Sequence, residues 1–246
     1  ELFAKTREET FVEREPVTSR ASFMRGRKRV VLPTNSVFVV TSGLRSLVQD
    51  APLLFVGHAP ATALPRAEVA GRVAVMLDSL AIGADPLKVG DRAGRLLDAG
   101  ALAVVTVLDG DRGLEDVIAR RSRAGYAISS EKIGDEIEAY LSPATAELLL
   151  AGTPHASLAK LRADAALPLF APFLLGINGT FEATSRETRI NTHNLIGRIP
   201  GRNPDAGAVL MMAHWDHFGE CAAAPAEDLI CNGAIDNASG LAVVTE

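Results

Sequence analysis

Two stretches decide the reading: Val209-Leu210-Met211-Met212-Ala213-His214-Trp215-Asp216-His217, and Asn232-Gly233-Ala234-Ile235-Asp236-Asn237-Ala238-Ser239-Gly240, where Asp236 stands 22 residues after His214. The five apolar residues have the length of a buried strand, which puts His214 at its carboxyl end. Ligands of open α/β sheets gather at such ends. Imidazole nitrogen and carboxylate oxygen both bind zinc at about 2.0–2.2 Å, so His214 and Asp236 on neighbouring loops can share one ion. The two oxygens of Asp236 also suit it to bridge two metals about 3.5–4 Å apart. Asp216 sits too close to His214 along an extended strand end to reach the same ion, but it can accept a hydrogen bond from the second imidazole nitrogen. Each motif alone has a plainer use. H-x-D also occurs as a hydrogen-bonded strand-end pair, and D-N-A-S-G as a loop-to-helix cap, with Asn237 or Ser239 capping the helix suggested by Leu241 to Val244.

Working outward, Asn194-Leu195-Ile196-Gly197-Arg198-Ile199 has strand composition, and Arg202 to Gly207 is a polar turn leading to Val209, so two strands joined by a turn are expected. Upstream, Ala165 to Phe181 is apolar but broken by Pro168, Pro172 and Gly176, which suits strand and turn and excludes a bilayer helix. Leu53 to Gly57, Val73 to Leu77 and Leu102 to Leu108 are further apolar runs of strand length. Between the last two, Asp91 to Gly100 has helical spacing and a glycine stop. A second helix is expected over Pro143 to Ala151, between Ser142 as N-cap and Gly152, and a charged, alanine-rich segment runs from Ser157 to Ala165. Residues 11–40 read as extended, and Arg25 to Arg29 as a solvated hairpin end.

The chain has 246 residues, 48% hydrophobic and 22% charged, ordinary for a folded protein with a real core. Its 25 basic and 30 acidic side chains give a net charge of −5, so no overall field favours nucleic acid. No membrane span is expected. Glu1 opens a polar segment rather than a basic and apolar leader, as in a chain processed or cut at its N-terminus. Cys221 and Cys231 lie in one loop, and the sequence leaves open whether they are bridged or free.

Together the strand, the H-x-D-H and the N-G-A-x-D-N-x-S-G resemble the di-zinc exopeptidase family that includes aminopeptidase S, aminopeptidase Y and glutamate carboxypeptidase. The resemblance implies a mixed-sheet α/β zinc aminopeptidase fold, a peptide substrate, two Zn2+ ions in the complete enzyme, and a secreted or periplasmic location. It implies that His214 is a ligand of one zinc, that Asp236 bridges both through a segment whose Asp236-Asn237 peptide is cis, and that Asp216 acts from behind the ligands as a catalytic residue. Residues Leu53 to Leu108 resemble, more loosely, the protease-associated domain inserted in many of these enzymes. The implied organisation is an N-terminal segment of the peptidase lobe over 1–40, an α+β protease-associated domain over 41–168, and the first part of the zinc peptidase domain over 169–246. The family's general-base glutamate and remaining ligands lie beyond these motifs, so the chain is expected to be a truncated portion, inactive alone and weak in metal affinity. His58, His155 and His193 are expected to be exposed or hydrogen-bonded rather than ligands, and His217 to be structural or pocket-lining. Some relatives of this architecture are receptors without catalysis, which leaves a non-catalytic binding protein as the rival reading.

Overall fold

The structure, a computed structural model, describes residues 3–59, 64–81, 83–84, 90–129, 134–221 and 225–246. Glu1, on which the expectation of a processed or cut N-terminus rested, lies outside them. The fold is α/β, built on one mixed sheet. Its strands are β1 (Phe3–Arg25), β2 (Lys28–Val30), β3 (Val37–Thr41), β4 (Arg45–Phe55), β5 (Val73–Leu77), β6 (Ala103–Val107), β7 (Gly125–Ile128), β8 (Ile137–Leu141) and β9 (Phe173–Arg198). Their order is β2-β1-β9-β4-β5-β6-β8-β3, with β7 paired to β1.

β4, β5, β6 and β8 run parallel, while β3 closes one edge antiparallel to β8 and β9 pairs antiparallel with β4. Parallel strands covered on both faces need apolar residues at every position, and all five residues of β5 and of β6 are buried. Successive side chains alternate between faces. Leu53, Phe55, Val75, Leu77, Val105 and Val107 pack on one face with Leu149, Leu150, Leu158 and Leu161. Leu54, Val56, Ala74, Met76 and Val104 pack on the other with Val69 and Leu96.

The covering helices are α1 (Arg66–Val69), α2 (Arg92–Asp98), α3 (Leu114–Arg121), α4 (Pro143–Leu150) and α5 (Leu158–Ala165). Asp91, Ser142 and Ser157 each accept a hydrogen bond from a first-turn backbone N–H of α2, α4 and α5, which satisfies donors that the helix leaves unpaired. Along β9 the burial alternates through Leu175, Ile177, Phe181 and Ala183, and the Phe181 ring meets Phe23 of β1 edge-on at 5.4 Å between centroids. The basic run forms the hairpin between β1 and β2, with Arg25 opposite Lys28 and Gly26 at a φ of 56° that suits so tight a turn.

The chain divides into two compact units, Thr6–Asn194 and Leu195–Glu246 with Glu1–Lys5. The boundaries expected at 40/41 and 168/169 therefore both fall inside the first unit. The pairings explain this: β3 crosses 40/41 and is bonded to β8, and β9, beyond 168/169, is bonded to β4.

The second unit departs from expectation. β9 runs on through Arg198, and Pro204–Ala206 forms a short 3-10 turn with Asn203 capping Asp205. Val209 to Ala213, expected as a strand, is unpaired among the described residues, and no described residue of Leu195–Glu246 is buried. Val209 is 93% exposed, Leu210 78% and Met212 79%. An apolar run becomes a strand only where neighbours supply hydrogen bonds and cover, and here none does.

Candidate metal centre

The second unit holds the motif residues on exposed backbone. After Ala213 the chain presents His214, whose Nδ1 lies 2.8 Å from the carbonyl oxygen of Asp216. A carbonyl oxygen only accepts, so Nδ1 carries a proton and donates it. The Asp216 carboxylate stands farther off, with Oδ1 3.4 Å from the same nitrogen. The main chain of Asp216, rather than the side chain expected from the sequence, thus makes the closer contact with the ring.

On its other edge His214 faces Asp236, with Nε2 2.9 Å from Oδ1. Asp236 is brought there by the turn Ala234–Ser239, entered through Gly233 at a φ of 65°, in which the Asp236-Asn237 peptide is cis. The final helix, α6 (Gly240–Thr245), begins directly after this turn. Neither Asn237 nor Ser239 caps it: no side chain bonds its first N–H groups, and the Ser239 hydroxyl turns back to the carbonyl of Ile235. A turn that has already closed its own hydrogen bonds takes the place of the cap.

This geometry makes a specific chemical demand. With the proton of neutral imidazole fixed on Nδ1, Nε2 offers a lone pair to a carboxylate oxygen that also offers one. Two acceptors 2.9 Å apart need a positive charge between them, either a second proton on the ring or a cation. The hydrogen bond to the Asp216 carbonyl, opposed by desolvation and helped by the bond to Asp236 and the charges of both carboxylates, raises His214 above the ordinary histidine pKa.

The donor set also suits a metal. An sp² nitrogen and a carboxylate oxygen each bind zinc at about 2.1 Å, and a shared tetrahedral ion needs the pair to open by only about 0.5 Å. Asp236 keeps its second oxygen for another partner. Among the described residues no group of three or more His, Cys, Asp or Glu side chains is gathered at metal-holding distance, so the pair stands as two donors.

The remaining histidines have other places. His58 Nδ1 donates to the Ser79 carbonyl at 2.8 Å, His155 stacks on Phe173 at 4.2 Å, and His193 is exposed on β9. His217 packs beside Phe218, 4.8 Å between ring centroids, and against the Cα of Gly233. Trp215 is exposed rather than packed. Cys221 and Cys231 form a disulfide, with Cα atoms 5.7 Å apart, which settles the choice the sequence left open.

Two features of the first unit were not legible in the sequence. Beyond β5 and β6, Asp78 and Asp109 occupy the strand ends where ligands usually gather. Here they are already engaged: Asp78 by Arg92 and Arg112, and Asp109 by the Ser79 N–H and hydroxyl and by Arg162. A cleft of about 930 Å³ has Arg14, Arg112, Arg121, Glu138 and Tyr140 in its walls. Those arginines are likewise paired, Arg14 with Glu187, Arg112 with Asp78, and Arg121 with Glu138 and the Tyr140 hydroxyl.

Comparison with known proteins bears on the segment that carries the pair. Residues 194–246 match the model of Peptidase family M28. Among solved structures, an aminopeptidase from Aneurinibacillus sp. strain AM-1 is 15% identical with a TM-score of 0.41, over 82% of this chain and 40% of that one. A peptidase M28 precursor from Shewanella amazonensis SB2B is 13% identical with a TM-score of 0.40, over 78% of this chain and 40% of that one. BSAP, a zinc aminopeptidase from Bacillus subtilis, is 17% identical with a TM-score of 0.26, over 97% of this chain and 45% of that one. The chain spans less than half the length of each of these structures. No curated protein matches it.

Proposed function

We infer, from a C-terminal segment that matches the model of Peptidase family M28, that this chain is a portion of a zinc-dependent exopeptidase. The reaction is hydrolysis of N-terminal peptide bonds, that of an aminopeptidase. The observation that carries the reading is the lone pair of His214 Nε2 facing the carboxylate of Asp236 at 2.9 Å, a geometry that calls for a positive charge, which a shared cation would supply.

His214 would hold the metal through Nε2, its ring aimed by the hydrogen bond from Nδ1 to the Asp216 carbonyl. Asp236 would hold the same ion through Oδ1 and, through its other oxygen, a second one. When bound, zinc supplies Lewis acidity toward the scissile carbonyl and lowers the pKa of water. The proton released needs a general base, which we place, with the remaining ligands, in further sequence of the protein. The exposed face of Val209, Leu210 and Met212 supports that placement, since apolar residues in a row are covered in a finished fold. We also propose that residues 41–168 correspond to a protease-associated domain, and that the protein is secreted or periplasmic, in keeping with the Cys221–Cys231 disulfide.

The test is hydrolysis of aminoacyl-nitroanilides by the full-length protein with and without chelator. Activity lost on chelation and restored by Zn2+ is expected, with His214→Ala and Asp236→Ala inactive. Hydrolysis indifferent to chelator would overturn the metal. A protein that hydrolyses nothing yet binds peptide would be the receptor instead.

A further inference from the structure

The two donors are 22 residues apart, and no described residue between them is buried, so among the described residues no hydrophobic core holds Asp236 opposite His214. Something else must set the path of the loop, because an open loop of this length visits many end-to-end geometries.

The structure offers one device. The Cys221–Cys231 disulfide closes the loop at its waist, where Glu220 and Ile230 form an antiparallel bridge. Cys221 N–H donates to the Leu229 carbonyl at 2.9 Å, and Cys231 N–H to the Gly219 carbonyl at 2.8 Å. Asp228 completes the closure, accepting from the Ile230 N–H and from the Asn232 amide at 3.0 Å each. Past the waist the chain reaches Gly233. A Cβ on that residue would lie 2.9 Å from Cγ of His217 and 3.1 Å from the carbonyl oxygen of Asp236, so only glycine lets the His217 ring close against the turn that carries Asp236.

We propose that the Cys221–Cys231 disulfide, with the His217–Gly233 contact beside it, is the positioning element of the His214 and Asp236 pair. The inference rests on the reading that this pair holds a divalent cation. The cross-link cuts the path between the donors to about a dozen residues, which alone raises their encounter probability only about two- to threefold. The larger effect is directional. Held at residue 231 and against His217, the chain enters the Ala234–Ser239 turn with the Asp236 carboxylate already facing Nε2. Groups that orient a metal ligand are worth about 10–100-fold in affinity.

The test is titration of the full-length protein with Co2+, followed by visible absorption, beside the variants C221S/C231S, Gly233→Ala, His214→Ala and Asp236→Ala. Binding by the unaltered protein that is lost in His214→Ala and Asp236→Ala establishes the pair as ligands. If the unaltered protein binds no Co2+, or binds it equally in those two variants, the metal reading fails and this inference fails with it. Given that binding, C221S/C231S is expected to weaken Co2+ affinity about tenfold, with an unchanged melting temperature for the sheet and an unchanged spectrum at saturation. A loss under threefold would leave only loop length and overturn the proposal. A changed spectrum at saturation would do the same, since the cross-link would then be altering the donors themselves. Gly233→Ala keeps the disulfide and is expected to weaken affinity as well. If C221S/C231S does not fold, Gly233→Ala decides the question, and unaltered affinity in Gly233→Ala overturns the proposal.

Discussion

His214 directs its Nε2 at Oδ1 of Asp236 from 2.9 Å while its Nδ1 donates to the Asp216 carbonyl at 2.8 Å. The ring is thus committed on one edge and presents a single lone pair on the other. Whatever positive charge enters the gap is bound by both residues at once.

Asp236→Asn separates the two ways of filling that gap. An amide can turn its NH₂ toward Nε2 and make an ordinary hydrogen bond, so the turn should keep its shape without a cation. It has lost the charge that a divalent ion requires. Co2+ affinity, measured by absorption titration, should fall at least tenfold, with an unchanged circular dichroism spectrum.

Asp109 predicts a pH dependence of stability. Its side chain is 1% exposed. Burial pushes its carboxyl up, but hydrogen bonds from the Ser79 N–H, the Ser79 hydroxyl and Arg162 outweigh burial and hold it below the ordinary carboxylate value. A lowered folded-state pKa means stability that is fully present above the unfolded value of about 3.9 and is lost as pH falls through the folded one. Asp109→Ala should therefore cost about 1–3 kcal/mol at pH 7 by leaving its partners unpaired. The gap between variant and parent should begin to narrow near about pH 3.9 and go on narrowing as pH falls through the lower folded-state value, read by urea melts across that range. A constant gap would contradict the hydrogen-bonded carboxylate.

Phe181 tests the core that carries the first unit. Its ring is fully buried against Phe23, and the Cβ of an alanine at Gly179 would lie 2.5 Å from Phe181 Cε2. Phe181→Ala should cost about 3–5 kcal/mol through the cavity it leaves. Gly179→Ala should cost about 1–3 kcal/mol through overpacking. Denaturant unfolding of both variants would show whether the site is as tightly filled from either side.

Parts of this architecture were written in the sequence because their physics is local. Val73 to Leu77 and Leu102 to Leu108 read as buried strands since every residue but Thr106 is apolar, and Ser142 with Gly152 bounded a helix that begins at Pro143 and ends at Leu150. α3 was not legible. Leu114, Val117 and Ile118 do form an apolar stripe, but it spans barely one turn, and the N-cap, Gly113, offers no side chain to mark the start. β8 was hidden as well, because Glu138 and Tyr140 interrupt its apolar run in order to bond Arg121. Val209 to Ala213 shows the opposite failure: composition announced a strand, but pairing is a property of neighbours. At the candidate metal centre, residue types and spacing brought His214 and Asp236 to notice. That the carbonyl of Asp216 rather than its carboxylate lies closer to the ring is a matter of backbone direction, which no motif encodes.

The contrast between the two units gives the last prediction. Amides open in proportion to the burial and bonding that hold them, so exchange rates should divide at the unit boundary. In β5 and β6 every residue is buried and every strand neighbour is in place, whereas no described residue from Leu195 to Glu246 is buried. Hydrogen exchange on this chain should therefore leave Val73–Leu77 and Ala103–Val107 protected long after Val209 to Phe218 has exchanged. Within the second unit, Cys221 and Cys231, whose N–H groups are bonded across the disulfide, should exchange more slowly than Val209 to Met212, whose stretch makes no ladder bonds among the described residues. Adding further peptidase sequence should then slow exchange at Val209 to Met212 by covering that face. Protection of those four amides in this chain would contradict their exposure and remove the support they give to the proposed longer peptidase lobe.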